Sequence, residues 1–204
     1  MSFKTIATLD GNRTDVRRDL QDRDRLHKRL MSLYPDGLGS NPRQAINLLY
    51  AVEPDTTNIV IQSDLRPVTG PLTSSRNGYF TAVRTEPLEN STDFVTGDTV
   101  QFCFWFCALS RDSVTHKRVD ISSETGIYAK AKEQLSLAGL DVSEIDVATK
   151  EKIKSQKRNI NYSNILLVGI GSITDAQKLK DSIIRGIGAG RLWGSGVLLV
   201  SDIK

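Results

Sequence analysis

Apolar and polar residues alternate with a period of two in several short stretches of this chain, and at helical spacing in others. FKTIATLD, residues 3 to 10, reads as a strand. In RDLQDRDRLHKRLMSLYPD, Leu26, Leu30 and Leu33 recur at helical spacing until Pro35 closes the pattern. QAINLLYAVEP and NIVIQSD predict a strand pair, and GYFTAVRTEPL a weaker strand. The polar segment TEPLENSTDFVTGD, with Gly97 near its end, is the best linker. Beyond it come the aromatic strand TVQFCFWFCALS, a basic turn containing HKRV, and a helix from about Ser123 to Ala138 that Gly139 can end. A strand in NILLVGI, a second helix opened by the capping-box pair Thr174 and Gln177, and a final strand complete the pattern.

Each half therefore reads as two or more strands packed on a helix or two, the order of split βαβ, ferredoxin-like units. This predicts an α+β fold of two tandem ferredoxin-like, RRM-like domains, residues 1–90 and 98–204. No sequence repeat of fixed period accompanies the similar order.

Composition changes this picture little. Of 204 residues, 39% are hydrophobic and 25% charged, enough for a real core. A net charge of only +3 does not by itself announce nucleic acid, so any such role must come from local clusters. No long uncharged apolar run suits a membrane helix, and the stretch after Lys4 is too short for a signal peptide, so the expectation is a cytoplasmic protein. Cys103 and Cys107 lie four residues apart on one strand, hence on one face but about 13 Å from each other, too far for a disulfide. Without a nearby histidine at zinc-finger spacing they read as packing thiols.

The loop RGIGAGRLWGSGVLLV, residues 185 to 200, follows a helix and opens a strand. A P-loop needs a Lys-Ser/Thr ending that is absent, and a dinucleotide fingerprint needs the opposite order. LLVGIGSIT has the right order, but too little sheet remains after it, and a strand-end bulge is the better reading of Gly169 and Gly171. Two readings of the terminal loop stay open. Gly186 and Gly188 can simply end the helix while Gly194 and Gly196 allow close packing, or amides of a loop through Gly186, Gly188 and Gly190 approach a phosphate backbone beside Arg185 and Arg191.

His27 sits at the edge of the apolar stripe, in line with Met31 and Tyr34, while Arg25 and Arg29 belong to the solvent side. That edge suits an imidazole that is held yet reaches a substrate, although a lone histidine is also an ordinary packing residue. His116, in a turn beside Lys117, reads as a surface or RNA-contacting residue rather than a catalytic one. Asp22 and Asp24 point to nearly opposite sides of a helix and cannot readily chelate one metal, so histidine chemistry without metal or cofactor is the simplest enzyme hypothesis. In KEKIKSQKRN, Lys150, Lys152 and Lys154 would share one face of a strand, as a phosphate-binding stripe or a solvated hairpin.

Four segments in order resemble the CasE-type CRISPR-associated endoribonucleases of type I-E systems: RLHKRLMSLYPD, NIVIQSDLRP, FWFCALS followed by HKRV, and the terminal glycine-rich loop. The resemblance covers nearly the whole chain. It implies two ferredoxin-like domains and a metal-independent nuclease that cuts precursor RNA at the 3′ base of a repeat hairpin, leaving a 2′,3′-cyclic phosphate. It further implies that the protein keeps the mature guide RNA and joins the other subunits of the Cascade surveillance complex. By resemblance, His27 is the catalytic histidine and Lys28 stabilises the scissile phosphate. Lys150, Lys152, Lys154, Lys157 and Arg158 belong to an RNA-gripping hairpin, joined as RNA contacts by Arg25, Lys117, Arg118, Arg185, Gly186, Gly188, Gly190 and Arg191. Asp24 stands where some members carry a tyrosine, and Ser110 and Arg111 replace an Asn-Pro pair. The alternative role is a noncatalytic RNA-binding subunit.

Overall fold

A computed structural model describes residues 1–73, 78–88, 93–114, 116–155 and 160–203. Its backbone forms two compact units. The first comprises residues 1–90 with 154–160 and 192–194, and the second 91–153, 161–191 and 195–204.

The first unit opens with β1 (Phe3–Leu9), followed by α1 (Thr14–Gln21) and α2 (Arg23–Met31). The long helical pattern of the sequence is thus broken at Asp22, which has extended dihedrals and caps α2 by accepting from the Asp24 N–H at 3.0 Å. A short helical turn α3 (Pro42–Ala45), β2 (Leu49–Val52), β3 (Asn58–Ser63), the turn α4 (Gly70–Thr73) and β4 (Phe80–Pro87) follow. The segment QAINLLYAVEP is therefore half helical turn and half strand, because Pro42 starts a turn before the apolar run begins.

The sheet has the antiparallel order β2-β3-β1-β4, the ferredoxin-like order. Phe3 pairs with Ser63 on one side and Pro87 on the other. Leu26, Leu30 and Leu33 meet Ala7, Leu9, Tyr50, Ile59, Ile61 and Phe80 in one buried cluster. Burying each such aliphatic side chain contributes about 1.5–3 kcal/mol.

The second unit repeats this order with different residues: β5 (Thr99–Cys107), the hairpin β6 (Leu109–Arg111) and β7 (Arg118–Asp120), α5 (Glu124–Leu137), β8 (Leu140–Ser155), β9 (Ile160–Ile173), α6 (Ala176–Arg185) and β10 (Leu198–Asp202). Its sheet order is β10-β5-β9-β8, again ferredoxin-like, so the chain is an α+β protein of two such units. Val100, Phe102, Phe104 and Phe106 alternate onto one buried face of β5, while Gln101 is exposed on the other.

Ser123 caps α5 and Gly139, at φ +86°, ends it. At α6 the cap is Asp175, whose carboxylate accepts from the Lys178 N–H at 3.0 Å, not the Thr174–Gln177 box. That carboxyl lies below its ordinary value chiefly because of this backbone hydrogen bond. Gly169 and Gly171 lie inside β9, paired in unbroken register with Phe102 and Val100, so the expected strand-end bulge is absent from that ladder. A side chain at Gly169 would run into the Glu144 carbonyl and the Phe102 ring, which explains the glycine by packing alone. Cys103 and Cys107 carry unbridged thiols.

Candidate functional site

In the first unit, α2 carries the candidate residues His27 and Lys28 at adjacent positions. His27 is half-buried and Lys28 exposed. The imidazole lies stacked on the ring of Tyr50, centroids 6.5 Å apart and planes inclined by 25°. Tyr50 is fully buried, and its hydroxyl is directed at the Leu192 carbonyl (3.1 Å) and the Arg23 carbonyl (3.4 Å). Asp24, which the resemblance sets at a tyrosine position, is buried near the start of α2.

Arg25 and Arg29 do not simply face solvent as the helical pattern suggests. Their Nε groups donate to the two oxygens of Asp19, at 3.2 and 3.1 Å, and Asp19 is 2% exposed. The Tyr79 hydroxyl donates to Asp19 as well, at 3.0 Å, and the Arg29 guanidinium lies 4.7 Å from the centre of the Tyr79 ring. Burial, first, and the neighbouring Asp19 charge push the Tyr79 phenol upward. Arg25, Lys28, Arg29 and Ser32, together with Asp19, line a shallow cavity of about 300 Å³ on this side of α2.

Lys150, Lys152 and Lys154 occupy alternate positions of β8 and are all exposed. They are not equivalent. The Lys152 ammonium donates to Asp120 (2.8 Å) and to Ser163 Oγ (2.9 Å), and the Ser163 N–H and hydroxyl also donate to Asp120. Burial works against the Asp120 charge, but the hydrogen bonds from Lys152 and Ser163 hold its carboxyl below the ordinary value. Lys157 and Arg158 lie outside the described residues.

Lys117 and Arg118 are exposed, Arg118 opening β7, and His116 occupies the hairpin with φ +54°. Arg185 ends α6 and is exposed. Gly186, Gly188 and Gly190 have φ of +69°, +75° and +79°. A Cβ at Gly190 would come within 3.0 Å of both Cys107 and Ser195, so that glycine is required by the fold itself. Ser195 Oγ donates to Asn164 Oδ1 at 2.7 Å, a buried bond that braces the loop against β9, and Asn164 Nδ2 donates to the exposed Glu151 at 3.0 Å. Arg191 is exposed, with a guanidinium nitrogen donating to the Arg185 carbonyl at 3.1 Å. Among the described residues no three His, Cys, Asp or Glu side chains converge on a point where a metal ion could sit, and no helix is long and apolar enough to cross a membrane.

Tyr50, Asp19, Asp120 and Ser163 carry no spacing signature. Each acts through a partner 23 or more residues away in sequence or through a sheet pairing, except for the local link from Asp19 to Arg25 and Arg29.

Comparison with known proteins agrees with this fold. Residues 3–201 match the model of the family described as CRISPR associated protein, and the chain belongs to that family. No curated protein matches it by sequence. Among solved structures, Thermus thermophilus Cse3 bound to an RNA representing a pre-cleavage complex is 19% identical, with a TM-score of 0.85 over 98% of this chain and 99% of that one. Cas6e from Escherichia coli K-12 is 19% identical, with a TM-score of 0.69 over the full length of both chains. A chain of a CRISPR RNA-guided surveillance complex is 20% identical, with a TM-score of 0.64 over 98% of this chain and 100% of that one. At these identities the likeness establishes a shared fold.

Proposed function

We propose that this CRISPR-associated protein is a metal-independent endoribonuclease that binds the repeat hairpin of precursor CRISPR RNA and cuts at the 3′ base of its stem. The observation that carries the reading is the half-buried His27 imidazole, held on the Tyr50 ring beside the exposed Lys28. An imidazole with an ordinary value near neutrality can take the proton of a ribose 2′-hydroxyl. The 2′-oxygen then attacks the adjacent phosphorus and the bond from phosphorus to the 5′-oxygen breaks. The leaving oxygen regains a proton, giving a 2′,3′-cyclic phosphate and a 5′-hydroxyl. Lys28 offers a cation for the charge that develops on the phosphate oxygens.

Lys150 and Lys154, with Arg118, Arg185 and Arg191, supply exposed cations for the RNA backbone. Lys117 extends that set, Lys152 contributes to it while also serving Asp120, and Lys157 and Arg158, adjacent in sequence, are further RNA-contacting cations in this reading. After cleavage the protein keeps the guide RNA and takes its place in a surveillance complex. The fold it shares with Cse3 and with a chain of such a complex supports this.

Incubation with the repeat RNA of the same genome in the presence of EDTA tests the reading. Site-specific cleavage with a cyclic phosphate end is the expected result, and strict dependence on added magnesium would overturn the metal-free mechanism. A second reading, a noncatalytic subunit that holds the hairpin, is favoured by one observation: a buried Asp24 in place of a tyrosine hydroxyl near His27. Tight hairpin binding without any cleavage would select it.

A further inference from the structure

The end of β5, the strand β7, α5 and the glycine-rich loop surround a cavity of about 350 Å³ within the second unit, a size within the range of small-ligand sites. Arg118, Lys130, Gln134, Gly188 and Arg191 contribute to its wall. The charges there are unevenly balanced. Lys130 is paired with Glu133 at 2.8 Å, and Asp120, the carboxylate on β7, is committed to Lys152. Among the described residues neither Arg118 nor Arg191 forms an ion pair. Two arginines on the wall of one cavity favour an anion there, and their planar guanidinium forks match a phosphate.

The loop adds donors to the same wall. Arg191 is held at one end by the Arg185 carbonyl, and its stem passes so close to Gly196 that a Cβ there would lie 2.7 Å from Arg191 Cγ. Among the described residues the N–H groups of Gly188 and Ala189 have no backbone acceptor, and both residues line the cavity. The Cys107 thiol, also in the wall, is pushed up to about 12 by burial and so brings no negative charge.

Gln134 on α5 is half-buried, and its Oε1 lies 3.0 Å from the point where a Gly188 Cβ would be. Its carboxamide, which no other described residue engages, presents a donor and an acceptor side by side. A bare phosphate needs no such pair, whereas the edge of a nucleobase does.

We infer that this cavity is a single-nucleotide pocket, with the phosphate on Arg118, Arg191 and the Gly188 and Ala189 amides, and with Gln134 reading the edge of the base. The inference rests on the RNA-binding reading above and adds to it a residue that selects sequence.

The test is a titration of the isotope-labelled full chain with each of the four nucleoside monophosphates and with inorganic phosphate, followed by NMR. Nucleotides are expected to shift the Gly188 and Ala189 amides and the Gln134 carboxamide, and inorganic phosphate only the loop amides. Gln134→Leu should compress the spread among the four affinities by roughly tenfold, the worth of a good base-edge contact. Arg118→Ala should weaken all of them by a similar factor. Absence of these shifts at millimolar nucleotide, or an unchanged spread in Gln134→Leu, would overturn the pocket. Because the shifts need no hairpin and no cleavage, they stand or fall separately from the nuclease activity.

Discussion

The imidazole of His27 lies nearly parallel to the buried ring of Tyr50, 6.5 Å between centroids. Tyr50 is in turn fixed from its far end, where the hydroxyl donates to the Leu192 carbonyl. A helix-edge histidine on a mobile rotamer would spend little time in any reactive geometry, and a rigid aromatic floor removes that freedom. Tyr50 is a positioning residue for His27 in the proposed chemistry.

His27→Ala should lower single-turnover cleavage of the repeat hairpin by about 10²- to 10⁴-fold, the usual worth of an acid-base group, with hairpin affinity nearly unchanged. Equal rates for the variant and the parent protein would remove His27 from the mechanism.

Tyr50→Phe keeps the ring and should keep the cleavage rate within a few-fold, at a stability loss of about 1 kcal/mol for the missing hydrogen bond. Tyr50→Leu removes the aromatic floor and should slow cleavage in the protein that remains folded. Thermal melts paired with single-turnover rates separate the two effects, and a rate in Tyr50→Leu equal to that of Tyr50→Phe would exclude a positioning role.

The three lysines of β8 should differ. Replacing Lys150 or Lys154 by alanine should flatten the salt dependence of RNA binding by roughly 0.7 to 0.9 log units for each phosphate no longer neutralised, without altering stability. Lys152→Ala should also destabilise, because Asp120 loses its cation. Binding isotherms over a salt series with urea melts would show the difference, and identical behaviour of all three would contradict it.

Asp120 also predicts a pH dependence. Its folded carboxyl titrates below the ordinary 3.8. The stability it lends is therefore complete above that ordinary value and is lost as pH falls through the folded one. Asp120→Asn should be less stable than the parent protein near neutrality, and the gap in urea midpoints should close as the solution is acidified. A gap that stays constant with pH would show that the charge contributes nothing.

Gly190→Ala should cost about 1 kcal/mol or more, since φ is +79° and Cys107 and Ser195 stand 3.0 Å from the new methyl. Gly188 has φ +75° and meets only the end of the Gln134 side chain. Gly188→Asp should therefore weaken RNA binding more than Gly188→Ala at similar melting temperature, by placing a like charge beside the cavity. Intact affinity in both variants would leave Gly188 with a purely structural role.

Much of this molecule was written in local patterns. The Leu26, Leu30 and Leu33 stripe, the Phe-rich alternation of β5 and the Ser123 cap with its Gly139 stop each depend on neighbours within a few residues, and they are where the pattern placed them. His27 at the edge of a buried stripe follows from helical geometry alone. What the pattern could not contain is any relation closed by the sheet: the Tyr50 ring under His27, Tyr79 on Asp19, or Asp120 between Lys152 and Ser163. The break at Asp22 was hidden as well, because the apolar spacing continues across it while one carboxylate captures the Asp24 amide and restarts the helix. Spacing decides which face a residue occupies; only the packed chain decides which charge, ring or carbonyl waits there, because those partners are separated by loops whose closure no short-range preference encodes.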